Sequence, residues 1–286
     1  MKKLRHFLEY FIAKVLLAFF STLSFQMASD VGAKLSIILF SKSKRNQIAR
    51  KNISYAMPEL SANQIDCILT EMWDNLGRNF AELPHINKLS SEHIQKLVEI
   101  SGINNISTTK KAALYFTAHL GNWEIAPKVF FDLGNPVNIV YRQANNPGLE
   151  KIIQKIRSKY VINTLPKGPD GSREVIKQLR QGNPIGMLVD QKMNDGVKID
   201  FFGHMAMTAP AIARLAIKYQ CPIIPVRVVR HNKHKFKVIV LPHMEIPDTN
   251  NRDNDIIEAM TKINLVLEEW IRDTPGQWIW MHNRWP

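Results

Sequence analysis

The sequence predicts an α/β fold, a mixed β-sheet flanked by helices, preceded by an N-terminal hydrophobic helix of membrane-anchoring type. Three observations predict it. A largely apolar stretch runs from Phe7 to about Ala28 behind the basic start Met1-Lys-Lys-Leu-Arg-His6. Residues 43–105 carry helical periodicity. From about residue 106 short β-rich runs alternate with helical ones, the pattern of an α/β core. The 286 residues thus divide into an anchor at 1–40, a helical part at 41–105 and an α/β part at 106–286. A hydrophobic content of 45% is ample for a core.

The anchor has several readings. Lys14 interrupts the apolar stretch, and the uncharged run Val15–Ser29 falls short of the roughly 20 residues that cross a bilayer. A second apolar patch, Leu35–Phe40, precedes the cations Lys42, Lys44, Arg45, Arg50 and Lys51. A cleaved signal peptide fits the basic start and apolar middle, but Gln26-Met27-Ala28 is a poor small-x-small cleavage site. A spanning helix with Lys14 snorkelling, an amphipathic helix in the membrane plane, and an ordinary buried helix pair also fit. The favoured expectation is a membrane anchor, spanning or interfacial. The larger basic cluster follows the segment, which keeps the remainder on the cytoplasmic side.

In the helical part, Ser61 and Gln64 form a capping box before the apolar-periodic run Ile65, Ile68, Leu69, Met72, Trp73, Leu76. Strands are expected at Ala112–Thr117, Val137–Tyr141, Ile185–Asp190, Ile223–Val229 and Phe236–Leu241. Helices are expected at 122–133, 147–159, 172–181, 209–219 and 253–272. The last two strands, joined by Arg230–Lys235, read as a hairpin, so the sheet is not purely parallel. Cys67 and Cys221 each lie in an apolar setting and read as buried small residues, without a disulfide framework or a nucleophile signature. That usage points to a reducing compartment. No cluster has metal-ligand spacing.

One segment concentrates chemistry: Ala113-Leu-Tyr-Phe-Thr-Ala-His119-Leu-Gly-Asn-Trp-Glu124. His119 falls just past an apolar strand, Gly121 permits a tight turn, and Asn122 can cap a helix with Glu124 in its first turn. Strand C-terminal ends are where open α/β sheets place their sites. A histidine titrates near neutrality and can take a proton from a hydroxyl, and an adjacent carboxylate can fix its tautomer. The bland reading of His119 is a capping histidine in a loop. A second His-x4-acid, His243 to Asp248, runs into Pro247 and reads as a turn.

The formal charge of +13 predicts anionic partners, and no nucleic-acid motif accompanies it. Arg142, ending a strand in a polar loop, either grips a phosphate or is a surface arginine. Asp190 and Gln191 either bind acceptor hydroxyls, support the histidine, or make a turn. Thr208 reads as the N-cap of the 209–219 helix. His282 and Arg284 either meet a phosphate or belong to aromatic packing by Trp278, Trp280 and Trp285 near a membrane interface.

His119-Leu-Gly-Asn-Trp-Glu124 resembles the His-x4-acid block of the lysophospholipid acyltransferase superfamily, and most closely its bacterial lipid A late acyltransferases, the lauroyl and myristoyl transferases. Tyr141-Arg142 with Asn146-Pro147, Asp190-Gln191, Phe201-Phe-Gly with Ala206-Met-Thr208, and Gln277-Trp-Ile-Trp280-Met-His282-Asn-Arg284 are similar to further blocks in the same order, covering nearly the whole chain. The acid is Glu124 where much of the superfamily has Asp, a choice common in this branch, and Pro210-Ala211 departs from many relatives.

The resemblance implies a glycerolipid acyltransferase-like fold. It implies an O-acyltransferase that moves an acyl chain from acyl carrier protein to a hydroxyl of a phosphorylated glycolipid, a lipid A precursor. His119 is then the general base and Glu124 orients it. Asn122, Arg142, Asp190, Gln191 and Arg284 are the candidate substrate-binding residues. No cofactor or metal is implied beyond the acyl thioester co-substrate. The implied location is the bacterial inner membrane, with an anionic bilayer as partner. Acylation of another phospholipid or glycolipid, and a non-catalytic basic membrane-binding protein, are the alternatives.

Overall fold

The computed structural model describes residues 2–106 and 112–285. Helices α1 (Lys2–Thr22) and α2 (Phe25–Phe40) are joined by a short connection, and α2 starts on Ser24, which accepts from the Met27 N–H at 3.2 Å. Helix α3 (Lys44–Ala56) follows, then α4 (Ala62–Ile86), on which both α1 and α2 pack. Both bonds of the Ser61–Gln64 capping box are present, and Ile65, Ile68, Leu69, Met72 and Trp73 face inward as their spacing requires. Gly32 and Gly77 let α2 and α4 touch backbone to backbone, since a Cβ at either would collide with the other helix.

Helix α5 (Ser91–Leu97) leads into β1 (Val98–Ser101). Then come β2 (Leu114–Thr117), α6 (Ile125–Asp132), β3 (Asn138–Tyr141), α7 (Pro147–Arg157), β4 (Thr164–Pro166), α8 (Pro169–Arg180) and β5 (Ile185–Leu188). A hairpin of β6 (Lys192–Phe201) and β7 (His204–Thr208) precedes α9 (Ala211–Tyr219), β8 (Ile223–His231), β9 (Lys235–Val240) and α10 (Arg252–Asp273). The main sheet runs β1-β9-β8-β2-β5-β3-β4, parallel throughout except for the antiparallel β8–β9 pair. β6 and β7 make a separate antiparallel pair.

The expected alternation is present, with a mostly parallel, mixed sheet between helices. Four strands lay outside the expectation. β1 begins at the C-cap of α5, so its few apolar residues read as the end of a helix. β4 has three residues. β6 opens with the polar run Lys192–Gly196, which hides its alternation with β7. Ile53, Met72 and Trp73 of the helical part pack in one cluster with Phe116, Trp270 and Trp278 of the α/β part.

Three further expectations change. Cys67 is exposed, because it projects from α4 between the inward positions Ile65 and Ile68, whereas Cys221 is buried and its thiol is pushed up to about 11 by burial. Pro210, not Thr208, precedes α9, and the Thr208 hydroxyl donates to the Ala206 carbonyl instead. No helix among the described residues is long and apolar enough to cross a membrane, so the spanning form of the anchor has no helix to carry it. Helix α1 instead leaves Leu4, Phe7, Leu8, Phe11, Ile12, Val15 and Phe19 exposed at i, i+3, i+4 spacing, while Leu17 and Phe20 pack inward.

Candidate active site

His119 stands two residues beyond β2, at the C-terminal edge of the parallel strands, where the sheet's loops are free to converge. Its Nδ1 is 2.8 Å from Asp190 Oδ1, and its backbone N–H donates to Asp190 Oδ2 at 2.9 Å. Asp190 lies two residues beyond β5, the parallel neighbour of β2, so sheet register brings together two groups far apart in sequence. The Trp278 indole N–H donates to the same Oδ2 at 2.8 Å, and Asp190 is completely buried. Burial works against its charge, but the charge of His119 and its hydrogen bonds outweigh this and hold the carboxyl well below the usual carboxylate range. His119 is 18% exposed, its ring edge meets Trp123 at 5.1 Å between centroids, and its Nε2 has no hydrogen-bond partner among the described residues.

Glu124 is placed differently from expectation. It is the N-cap of α6 rather than a first-turn residue, and its carboxylate is held by Arg157 and Tyr160 instead of the His119 ring. Arg157 Nε donates to Oε2 at 3.0 Å, a second guanidinium nitrogen binds Oε1, and the Tyr160 hydroxyl donates to Oε2 at 3.0 Å. Burial disfavours the Glu124 charge, but the fork from Arg157 more than offsets it, and the carboxyl sits below its ordinary value. The same carboxylate raises the pKa of Tyr160, whose burial acts in the same direction and more strongly. The partner of the histidine ring is therefore Asp190, and Glu124 belongs to a neighbouring ion pair close enough to feel the histidine's charge.

The turn between them is clamped from below. Gly121 has φ +58, and a Cβ there would meet the Val228 carbonyl at 2.6 Å, so the tight approach requires glycine. Its carbonyl accepts from Asn75 Nδ2 at 3.0 Å and Asn79 Nδ2 at 2.5 Å, both on α4. Asn122 is fully buried: its amide donates to Glu82 at 2.7 Å and its oxygen accepts from the Glu124 N–H at 3.2 Å. Glu82 is in turn bound bidentately by Arg230 at 2.6 and 2.9 Å. Asn122 thus shapes the turn and lines neither cavity of the site.

Two cavities meet at this site. A narrow apolar slot of about 60 Å³ is walled by Tyr115, Ala126, Phe130, Val137, Ile139 and Gly186. A wider, polar chamber of about 380 Å³ holds His119, Arg142, Gln143, Asn145, Lys167 and Gln191. Trp123 and Arg157 line both. The chamber's loop is fixed by Glu150, which binds the Tyr141 hydroxyl and accepts from the Ala144 N–H at 2.7 Å. Asn146 starts α7 and donates to the His6 carbonyl at 2.7 Å, tying α1 beside the chamber.

Of the expected substrate-binding residues, Arg142 and Gln191 line the chamber, and Asp190 lies behind His119. Arg284 does not. It is fully buried over the Phe201 ring, donating to Thr208 Oγ1 at 2.8 Å and the Met207 carbonyl at 3.1 Å, with burial pulling its pKa to about 10. Trp278, Trp280 and Trp285 are buried as well and pack in the core. Sequence reasoning passed over Arg157, Tyr160 and Lys167. Arg157 is a cation in the last turn of α7, a place with no sequence signal that sets it apart from other helix-end cations.

A buried acid–histidine pair at a strand edge, beside an apolar slot and a polar chamber, is the equipment of an enzyme that handles an amphiphile. The family model of the bacterial lipid A biosynthesis acyltransferases matches residues 1–286, and the chain belongs to that family. It is 22% identical to a lipid A biosynthesis acyltransferase of Haemophilus influenzae over 273 residues, 93% of this chain and 83% of that protein. A lipid A biosynthesis myristoyltransferase of Escherichia coli is 24% identical over 84% of this chain and 74% of its own length. A palmitoleoyltransferase of the same pathway and organism is 21% identical over 84% of this chain and 78% of its length. The protein is an acyltransferase of lipid A biosynthesis.

Proposed function

We propose that the protein moves a fatty acyl chain of the lauroyl or myristoyl class from acyl carrier protein to a hydroxyl of a phosphorylated lipid A precursor, with His119 as general base. The observation that carries the mechanism is the Asp190–His119 hydrogen bond, which holds Nδ1 and leaves Nε2 free beside the chamber. The acceptor hydroxyl gives its proton to Nε2 while its oxygen attacks the thioester carbonyl carbon. The tetrahedral oxyanion then collapses, the C–S bond breaks, and the departing thiolate takes the proton from the imidazolium. The orienting part foreseen for Glu124 passes in this reading to Asp190. Glu124 holds Arg157 where slot and chamber join, so the guanidinium lies beside the oxyanion when the chain is in the slot and the hydroxyl in the chamber.

The inner-membrane location is proposed on the strength of α1. Its exposed apolar row, with cations at its start at Lys2, Lys3 and Arg5 and after α2 at Lys42, Lys44 and Arg45, suits burial in the headgroup region of an anionic inner membrane. The bond from Asn146 to α1 would then keep the chamber close to that surface, and the larger basic cluster after α2 is the ground for setting it on the cytoplasmic side. Transfer assays on membranes carrying wild type or His119→Ala, with labelled acyl carrier protein and a tetra-acylated precursor, test the reading. Loss of transfer by at least a hundredfold is expected from removing a general base, and a loss below threefold would refute the mechanism. A wild-type enzyme that acylates only other phospholipids or glycolipids would move the proposal to those acceptors.

A further inference from the structure

We infer that Lys167 and Arg142 together form a phosphate-binding subsite on the chamber wall that faces His119. The inference rests on the proposed acyl transfer, and it assigns to Lys167 a role that no motif suggested. β3 and β4 are parallel neighbours in which Tyr141 is paired with Pro166, so Arg142 and Lys167 are the next residues off two adjacent strands at their C-terminal ends. The Lys167 N–H donates to the Tyr141 carbonyl at 2.9 Å, which fixes the two backbones side by side. Both side chains line the cavity that holds His119.

No acid neutralises them. Among the described residues neither side chain makes a salt bridge or hydrogen bond, in contrast to Arg157 in the same cavity, which Glu124 occupies. The carboxylate nearest in effect to Lys167 is Asp190, whose two oxygens are already taken by His119 and Trp278. Lys167 and Arg142 are both exposed residues, and partial desolvation, with repulsion from Arg142 and against the pull of Asp190, holds the Lys167 ammonium below its ordinary pKa. Two like charges on adjacent strand ends of one cavity, exposed and without a counter-charge among the described residues, can recognise a dianionic or diester phosphate by charge and by hydrogen bonds to its oxygens. The flat guanidinium can take two oxygens, and the ammonium a third.

A phosphate can reach this wall from either substrate: from the sugar phosphate of the acceptor or from the phosphopantetheine arm of the donor. Kinetics with matched pairs separate them. The full-length enzyme in detergent is given the tetra-acylated acceptor with and without its phosphates, and separately acyl-4′-phosphopantetheine against acyl-pantetheine. In one of the pairs, Lys167→Gln is expected to lower the preference for the phosphorylated member about tenfold or more, the worth of a hydrogen bond to a charged group, while Lys167→Arg restores it. The affected pair names the source. Equal loss for both members of each pair, or no loss, overturns the subsite. Read as binding instead of turnover, the same preference separates the two claims. An enzyme that transfers nothing, yet loses phosphate preference with Lys167→Gln, refutes the acyl-transfer reading and leaves the subsite standing.

Discussion

The slot and the chamber share Trp123 and Arg157 but are built in opposite ways. The slot is narrow, apolar and walled by strand interiors and α6. The chamber is several times larger, polar and walled by loops that leave the strands. A wall of the first kind measures its ligand by bulk, where one methylene is worth about 1–3 kcal/mol. A wall of the second kind measures by charge and hydrogen bonding. One enzyme can therefore change its acyl chain by altering single apolar residues while keeping its headgroup chemistry, in line with relatives that share a family yet are named for different chains.

The largest effect should come from the chamber's buried acid. Asp190→Asn keeps the shape but offers His119 an amide, so the ring loses both its fixed tautomer and the stabilisation of its charged form. Transfer is expected to fall by about a hundred- to ten-thousandfold, read as initial rate against an unchanged fold by circular dichroism. Activity within a few-fold of wild type would return the orienting role to another group, Glu124 first.

Glu124→Gln tests the junction between the two cavities. Arg157 would be left with its charge in a site where both partners are nearly buried. Removing one member of a buried pair costs roughly 3–5 kcal/mol, so the urea midpoint should drop clearly while Tyr160 retains an acceptor. A drop smaller than that of a surface control such as Glu92→Gln would mean that Arg157 is solvated in solution. The contrast with Asp190→Asn is the point: one acid is expected to fail first in rate, the other in stability.

Gly186→Val probes the slot alone. A Cβ at Gly186 would have its nearest neighbours at 3.7 Å, ordinary contact distance, so the added carbons fill the slot without a clash at their root. The preferred chain should shorten, with the ratio of rates between chains two carbons apart changing by about tenfold or more. Competition between two labelled acyl carrier proteins reads this directly. An unchanged ratio would show that the chain lies elsewhere.

How far the sequence could be read follows the same division. The chamber was legible because its residues come in short runs at strand ends: His119 after β2, Arg142 after β3 and Gln191 after β5 all stood out. The slot was not legible, since Tyr115, Phe130, Val137 and Gly186 look like any strand or helix interior until the sheet is assembled. Partners were the harder inference. Glu124 was near His119 in sequence and drew the orienting role, whereas Asp190, 71 positions away, holds the ring. Trp278 was read for its bulk, and its indole N–H bonds the same aspartate. Arg284 and Asn122 stood in motifs for reasons of packing and turn shape, which a motif does not distinguish from ligand contact.

The smallest effect expected is in pH, and it too belongs to the chamber side. His282 lies beneath Asp190, its Nδ1 within 2.8 Å of the Ile279 carbonyl. Burial lowers its pKa, and the positive neighbours His119 and Arg284 add to this, outweighing the pull of Asp190. Because its folded pKa is depressed, the unfolded chain takes up the proton first as pH falls below about 6.5. The stability from keeping His282 neutral is therefore present above that pH and is lost as pH falls through the folded value. Asp190, Glu124 and Glu82 are depressed as well, so their contributions begin to fade only below about pH 4, the unfolded carboxylate range. Thermal unfolding midpoints measured from pH 8 to pH 3 should fall in two stages, and His282→Gln should flatten the first stage while leaving the second. A midpoint that stays level between pH 7 and pH 5 in the wild type would place the acid sensitivity of this region in the carboxylates alone, and a fall that is equal in the variant would assign the first stage to another histidine, His85 first, whose pKa burial also lowers.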